Sequence, residues 1–261
     1  MAAVETKVTG HIGYVILNRP ESLNAMNGEL VEGFHAGLTK LLDDEAVRVI
    51  ILTGAGRAFC AGGDLAYMET LTEESERQTF IARVGEMALR INRADKPVIA
   101  MVNGVTAGAG VNIMLACDMV CAVDSAKFIQ SFVNVGLIPD CGGLYFLPRV
   151  VGKQRAKELM YTARPVKAEE ALALGMVTFL YDSDTLVSET EALAARIAAG
   201  SPGAIRAMKH MLAEDTTLEE VLAREARVQA RRLGGDAYAE GVAAFKEKRS
   251  PRFTDDTIDD K

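Results

Sequence analysis

The 261-residue sequence contains no tryptophan, only three histidines and four cysteines, and fewer basic than acidic side chains, 29 against 36. Each shortage removes a class of function. His11, His35 and His210 fall in a hairpin, a helix and the final helical stretch, none beside a glycine-rich loop, so a Ser/His or Cys/His nucleophilic dyad has little support. Cys60, Cys117, Cys121 and Cys141 form no CxxC pair and have no neighbouring His, which leaves a zinc site without ligands at usable spacing. They read as reduced, mostly buried thiols, with Cys60 and Cys141 as small packing residues. No stretch reaches the roughly 20 apolar residues of a membrane span. The start, MAAVETKVTG, lacks the charged and apolar regions of a secretion signal, so the chain reads as cytoplasmic. A formal charge of −7 repels nucleic acid and anionic membranes alike.

What is present is enough apolar material, 49% of residues, for one large domain with a small appendage. Alternation over Val4 to Thr9 and again over Ile12 to Leu17, with Gly10 between, predicts an antiparallel hairpin. A turn follows at Asn18-Arg19-Pro20. From the capping residue Asn27, the apolar positions Leu30, Val31, Phe34, Leu38, Leu41 and Leu42 recur at helical spacing. The β-branched run Val47 to Thr53 predicts a strand buried on both faces. Further helices are expected at Glu74 to Asn92 and Gly108 to Ala116. Further strands are expected at Pro97 to Val102, Met119 to Val123 and Met176 to Tyr181. Alternating strands and helices imply right-handed parallel crossovers. From Asp184 the pattern is helical, with breaks at Ser201-Pro202-Gly203 and Leu233-Gly234-Gly235, and the acidic end TDDTIDDK reads as a frayed tail. The Ala-rich helices have polar and apolar faces that suit packing on the chain's own core or on a neighbouring subunit.

Two small-residue loops follow buried strands: GAGRAFCAGGDL at Gly54 to Leu65 and NGVTAGAGVN at Asn103 to Asn112. Open α/β folds place ligands beyond the carboxyl ends of strands, and small side chains let backbone N–H groups approach them. The second loop also opens a helix, whose N-terminus favours negative charge. Two N–H groups converging on one carbonyl oxygen would form an oxyanion hole, although composition alone favours ordinary turns. No GK[ST] follows GAGRAF, so the first loop is not a P-loop. Asp140 sits between a proline and two glycines, just before the apolar segment LYFLPRVV. A carboxylate in such surroundings can shuttle protons, but capping the next helix is the commoner role.

The fragments LNRPESLNAM, AFCAGGDL, NGVTAGAG, ACD at Ala116 to Asp118, AKF at Ala126 to Phe128, and GLIPDCGG run in an order that resembles the crotonase (enoyl-CoA hydratase/isomerase) superfamily. The likeness covers nearly the whole chain; no fragment is specific alone, and together they are. It implies an α/β fold with a repeated ββα core over 1–197 and a helical C-terminal trimerisation region over 198–261, assembled as a homotrimer or homohexamer. It implies an acyl-CoA thioester as substrate and no cofactor beyond the CoA moiety of that substrate. By the same resemblance, the N–H groups of Ala61 and Ala109 form the oxyanion hole, and Ala25, Ala61, Gly62, Gly63, Asp64 and Leu65 line the CoA site.

The hydratases of the family use two glutamates, and the matching positions hold Asn112 and Phe132, neither of which can act as acid or base. Asp140 falls where a branch of single-aspartate isomerases, including one of phenylacetate degradation, carries its catalytic acid. The implied activity is therefore movement of a double bond from the 3- to the 2-position through a thioester enolate. Hydration, epoxide or dienoyl isomerisation and a non-catalytic subunit stay open as alternatives. Aryl-CoA dehalogenation is disfavoured by the missing Trp and by the absence of a His between His35 and His210. The acyl pocket is expected along Tyr67 to Arg93, with Phe132, Leu144 and Tyr145.

Overall fold

A computed structural model describes residues 2–254; most of the acidic end TDDTIDDK, from residue 255, lies outside them. β1 (Val4–Thr9) and β2 (Ile12–Leu17) form the expected antiparallel hairpin, with Val4 opposite Leu17 and Thr9 opposite Ile12. α1 (Gly28–Asp43) begins where the Asn27 side chain accepts a hydrogen bond from Leu30 N at 2.9 Å, and it buries Leu30, Val31, Phe34, Leu38 and Leu41.

The chain then repeats one unit. A buried strand of a main sheet is followed by a short strand of a second sheet, then by helix. The first unit is β3 (Val49–Gly54), β4 (Ala58–Cys60), α2 (Leu65–Glu69) and α3 (Glu74–Asn92). The second is β5 (Val98–Val102), β6 (Val105–Ala107) and α4 (Ala109–Leu115). The third is β7 (Met119–Val123), β8 (Lys127–Ile129), a 3₁₀ turn at Ser131–Val135, α5 (Gly143–Val151) and α6 (Lys153–Thr162). β9 (Val166–Lys167), α7 (Ala168–Ala173) and β10 (Phe179–Tyr181) close the core. The main sheet has six strands in the order β1-β2-β3-β5-β7-β10, parallel from β2 onward, and the second has four in the order β4-β6-β8-β9. Every residue of β3 and β5 is buried, which is why both read as unbroken apolar runs.

The second sheet has no counterpart in the sequence pattern. Its strands are two or three residues long, too short for alternation to register. The helical stretch also has a further break, at 214–217, between α9 (Pro202–Ala213) and α10 (Leu218–Leu233). There Thr217 and Glu220 form a reciprocal capping box. α8 (Leu186–Ala198) precedes these helices and packs on the main sheet, and α11 (Asp236–Glu247) follows them. No described helix is long and apolar enough to cross a membrane.

α9 is tied to the core by one buried cation. Lys209 Nζ donates to Asp118 Oδ2 at 2.7 Å and to the carbonyls of Ile91 and Lys96 at 3.0 and 3.1 Å. Asp118 Oδ2 also accepts Val98 N at 2.7 Å, so the pair bridges the tail to the first residue of β5. Lys209 is buried and the Asp118 side chain is 25% exposed, so removing the cation leaves a carboxylate that water reaches only in part. Lys209→Met is expected to lower unfolding free energy by about 3 kcal/mol, read from urea denaturation.

Candidate active site

The loops after β4 and β6 meet because the two ββα units are stacked through the second sheet. Gly62 has φ +94°, and a Cβ there would lie 3.0 Å from the Ala107 carbonyl and 3.4 Å from Ala109 N. Only glycine lets the first loop sit this close to the start of α4. The next loop in the stack follows the same order: a Cβ at Gly108 would meet Ser131 Oγ at 3.4 Å and the tip of the Phe132 ring at 3.8 Å.

The CoA-site residues expected from the sequence are brought together. Met26 N donates to the Gly62 carbonyl at 2.7 Å and Asp64 N to the Met26 carbonyl at 3.0 Å, a two-rung bridge that sets Ala25 beside Ala61 to Asp64. Asp64 caps α2 by accepting Tyr67 N at 3.2 Å, and it pairs with Arg19 at 2.8 Å. Burial alone would raise its pKa, but the hydrogen bonds from Arg19 and the Tyr67 N–H outweigh it and hold the carboxyl below its usual value. The same guanidinium donates to the Ala25 carbonyl at 2.7 Å. Leu65 is exposed at the rim.

Sequence reasoning missed what holds this ridge. Asn24 is fully buried, with φ +58°; it accepts Arg19 N at 2.9 Å and donates to the carbonyls of Ala55 and Ala58, each at 2.9 Å. Asn tolerates the left-handed region better than most residues, and its place in LNRPESLNAM was the available signal.

One expected donor has to be corrected. Ala61 N already donates to the Leu23 carbonyl at 3.0 Å, because the end of β4 runs alongside the 19–26 loop, so this N–H is not available to an oxyanion. Two residues on, Gly63 N has no acceptor among the described residues, and neither does Ala109 N. The free N–H groups flanking the loop contact are therefore those of Gly63 and Ala109.

Asp140 does not cap the next helix: the N-cap of α5 is Gly142, with no side-chain hydrogen bond. The carboxyl is half-buried, and its Oδ1 has no hydrogen-bond partner among the described residues. Burial pushes it up to about 6, partly offset by a hydrogen bond from its own backbone N–H. Its carbonyl accepts Asn112 Nδ2 at 2.9 Å. Asn112 lies three residues into α4 from Ala109, an axial rise of about 4.5 Å at helical pitch. Asp140 is thus fastened to the helix that begins with the free Ala109 N–H. Phe132 is buried. Burial pushes the Cys60 thiol up to about 12, which removes it as a nucleophile.

A cavity of about 1080 Å³ opens between α3, α5 and the tail helices, lined by Gly85, Ala88, Gly142, Tyr145, Phe146 and Met211 among others. It shares Tyr145 and part of the 67–93 segment with the expected acyl pocket. Phe132 and Leu144 do not line it, and Leu144 is exposed.

Gly63 and Ala109 thus carry free N–H groups where the two loops meet, and the half-buried Asp140 is joined through its backbone carbonyl to the helix that Ala109 begins. The sequence places that site in a known family: residues 7–256 match the enoyl-CoA hydratase/isomerase model, and the chain belongs to that family. Among its relatives is the 1,2-epoxyphenylacetyl-CoA isomerase of Escherichia coli, 40% identical over 91% of this chain and 93% of the relative. The crotonyl-CoA hydratase of Syntrophomonas wolfei is 34% identical over 93% and 94%. The crystal structure of an enoyl-CoA hydratase from Bacillus anthracis superposes with a TM-score of 0.93 at 32% identity, covering 97% of this chain and all of that one.

The Asp140 shift has a consequence for stability. Between the ordinary carboxylate value of 3.8 and about 6, the folded state binds a proton that the unfolded state does not, so stability falls as pH rises through that window. Asp140→Asn removes the penalty. Its denaturation midpoint is expected above wild type at pH 7.5 and level with it at pH 4, a difference that urea titrations at the two pH values read directly.

Proposed function

We propose that the protein is an acyl-CoA isomerase that moves a double bond from the 3- to the 2-position of an enoyl-CoA thioester. The observation that carries this reading is the half-buried Asp140 carboxyl with an unpaired oxygen, fastened to the helix that starts at a free N–H. The positions where the family's hydratases hold glutamates carry an amide, Asn112, and a ring, Phe132. One acid suits proton transfer better than the addition of water.

The CoA moiety lies along the ridge made by Ala25 and Gly62 to Leu65, with the thioester carbonyl reaching the N–H groups of Gly63 and Ala109. Asp140, as carboxylate, takes a proton from C2 of the 3-enoyl thioester. The electron pair moves onto the carbonyl oxygen, where the two N–H groups hold the developing charge. Asp140 then returns the proton at C4, the C3=C4 bond becomes C2=C3, and the carboxylate is regenerated. A pKa of about 6 keeps most of the group ionised at neutral pH while leaving it a competent donor. The substrate's own CoA is the one cofactor moiety the reaction uses. The E. coli relative's name favours an isomerase and motivates a second reading, isomerisation of an epoxide thioester at the same site.

We also place the tail helices at subunit contacts of a homotrimer or homohexamer. Leu212 and Phe245 are 86% and 85% exposed in the single chain, an uncommon fate for large apolar side chains. Light scattering of the full chain should return three or six times the subunit mass.

Asp140→Asn is expected to lower the isomerisation rate of 3-enoyl-CoA by about 10²–10⁴-fold; a rate near wild type would remove Asp140 as the base. In wild type, kcat/KM should rise with pH and level off above about 6, as the carboxylate forms. Ala109→Pro keeps a residue tolerated at the first position of a helix but deletes its N–H. Its kcat should fall by about 10²–10³-fold. Assaying 2-enoyl, 3-enoyl and epoxide thioesters in parallel separates migration from hydration and ring isomerisation.

A further inference from the structure

Among the described residues no side chain orients the carboxyl of Asp140: Oδ1 is unpartnered, the carboxyl receives a hydrogen bond from its own backbone N–H, and the remaining contacts run to the backbone. Its direction therefore depends on where that backbone is held. The backbone around it is not relaxed: Cys141 has φ +47°, a conformation that disfavours a residue with a Cβ, and Gly142 follows at +77°. Something outside the turn must maintain it.

Two buried amides do so. Asn112 is 0% exposed and Gln130 is 4% exposed. The Asp140 carbonyl can only accept, so Asn112 must present Nδ2 to it, at 2.9 Å. That leaves Asn112 Oδ1 to face Gln130, which must present Nε2, at 2.8 Å. The orientation of both amides follows from the single carbonyl. The turn also lies flat on the Asn112 amide: a Cβ at Gly143 would fall 2.4 Å from Asn112 Nδ2 and 2.7 Å from its Cγ. Gly143 N completes the clamp by donating to the same Asp140 carbonyl at 2.8 Å.

We propose that Asn112 and Gln130 are positioning residues, an amide relay that fixes the backbone of Asp140 and so aims its carboxylate between the two carbons that exchange the proton. The inference rests on Asp140 being the base. The relay runs from the end of β8, through α4, to the turn before α5. Asn112 thus occupies a hydratase glutamate's position without sharing its chemistry. It holds an acid that comes from elsewhere in the chain.

The test uses Asn112→Leu and Gln130→Met, close in shape and unable to donate, in the full-length protein with Asp140→Asn beside them. Isomerisation of 3-enoyl-CoA is followed across pH. The carboxyl resonances of ¹³C-labelled aspartates are titrated, the Asp140 signal being the one missing from Asp140→Asn. Both relay variants are expected to lose about 10- to 100-fold in kcat, as misaimed groups do, with KM within a factor of two. The Asp140 titration and the acid limb of the rate profile should move together toward the ordinary carboxylate range as the turn opens to water. A wild-type kcat with an unmoved titration would overturn the relay, and so would a raised KM at unchanged kcat, which would make the amides substrate contacts. If Asn112→Leu does not fold, Gln130→Met, one hydrogen bond further out, decides alone. Full activity in Asp140→Asn with a titration that still moves in the relay variants would instead remove the base assignment and leave the relay standing.

Discussion

The site depends on three very short strands, β4, β6 and β8, pairing side by side in parallel. Each is the second strand of a ββα unit, and pairing them lays the three following loops against one another in chain order. Backbone must approach backbone for this to happen. At Gly110 a Cβ would stand 2.3 Å from the Cys60 carbonyl, so any side chain there would force α4 away from β4. The free N–H groups, the ridge at Ala25 to Leu65 and the Asp140 turn all inherit their places from this stacking.

Polar groups buried around the stack do distinct jobs. Asn24 and Arg19 tie the 19–26 loop to β4 and Asp64, and this is also what occupies the Ala61 N–H and moves the available donor to Gly63. Lys209 ties the tail to β5 through Asp118. Asn112 and Gln130 tie the third loop to the second. Among the described residues the carboxyl of Asp140 has no comparable partner, which destabilises the ionised fold and raises its pKa toward neutrality. Local instability at this one carboxyl is the counterpart of the chemistry proposed for it.

Much of the main sheet was legible. The hairpin alternates, Asn27 precedes a clear helical stripe, and β3 and β5 are unbroken apolar runs because both faces are covered. These signals span five residues or more, long enough for a period to emerge. The second sheet lacked such length, and the break at Glu214 to Thr217 was hidden within continuous helix-forming composition. The candidate site was legible in part. Asp140, Ala109 and the small-residue loops stood out by type and order, whereas Asn24 and Gln130 are ordinary amides whose importance lies in partners 31 to 34 and 18 residues away.

The sequence by itself determined the family, the parallel core, the missing glutamates and the one candidate acid, since these follow from residue identity, order and periodicity. The tertiary structure decided which backbone donors are free, that Asp140 carries a raised pKa and no cap, and that Asn112 faces a carbonyl. A backbone N–H is the same group at Ala61 as at Gly63, and a carboxyl the same group in water as half-buried in the fold. Only the contacts made on folding distinguish them.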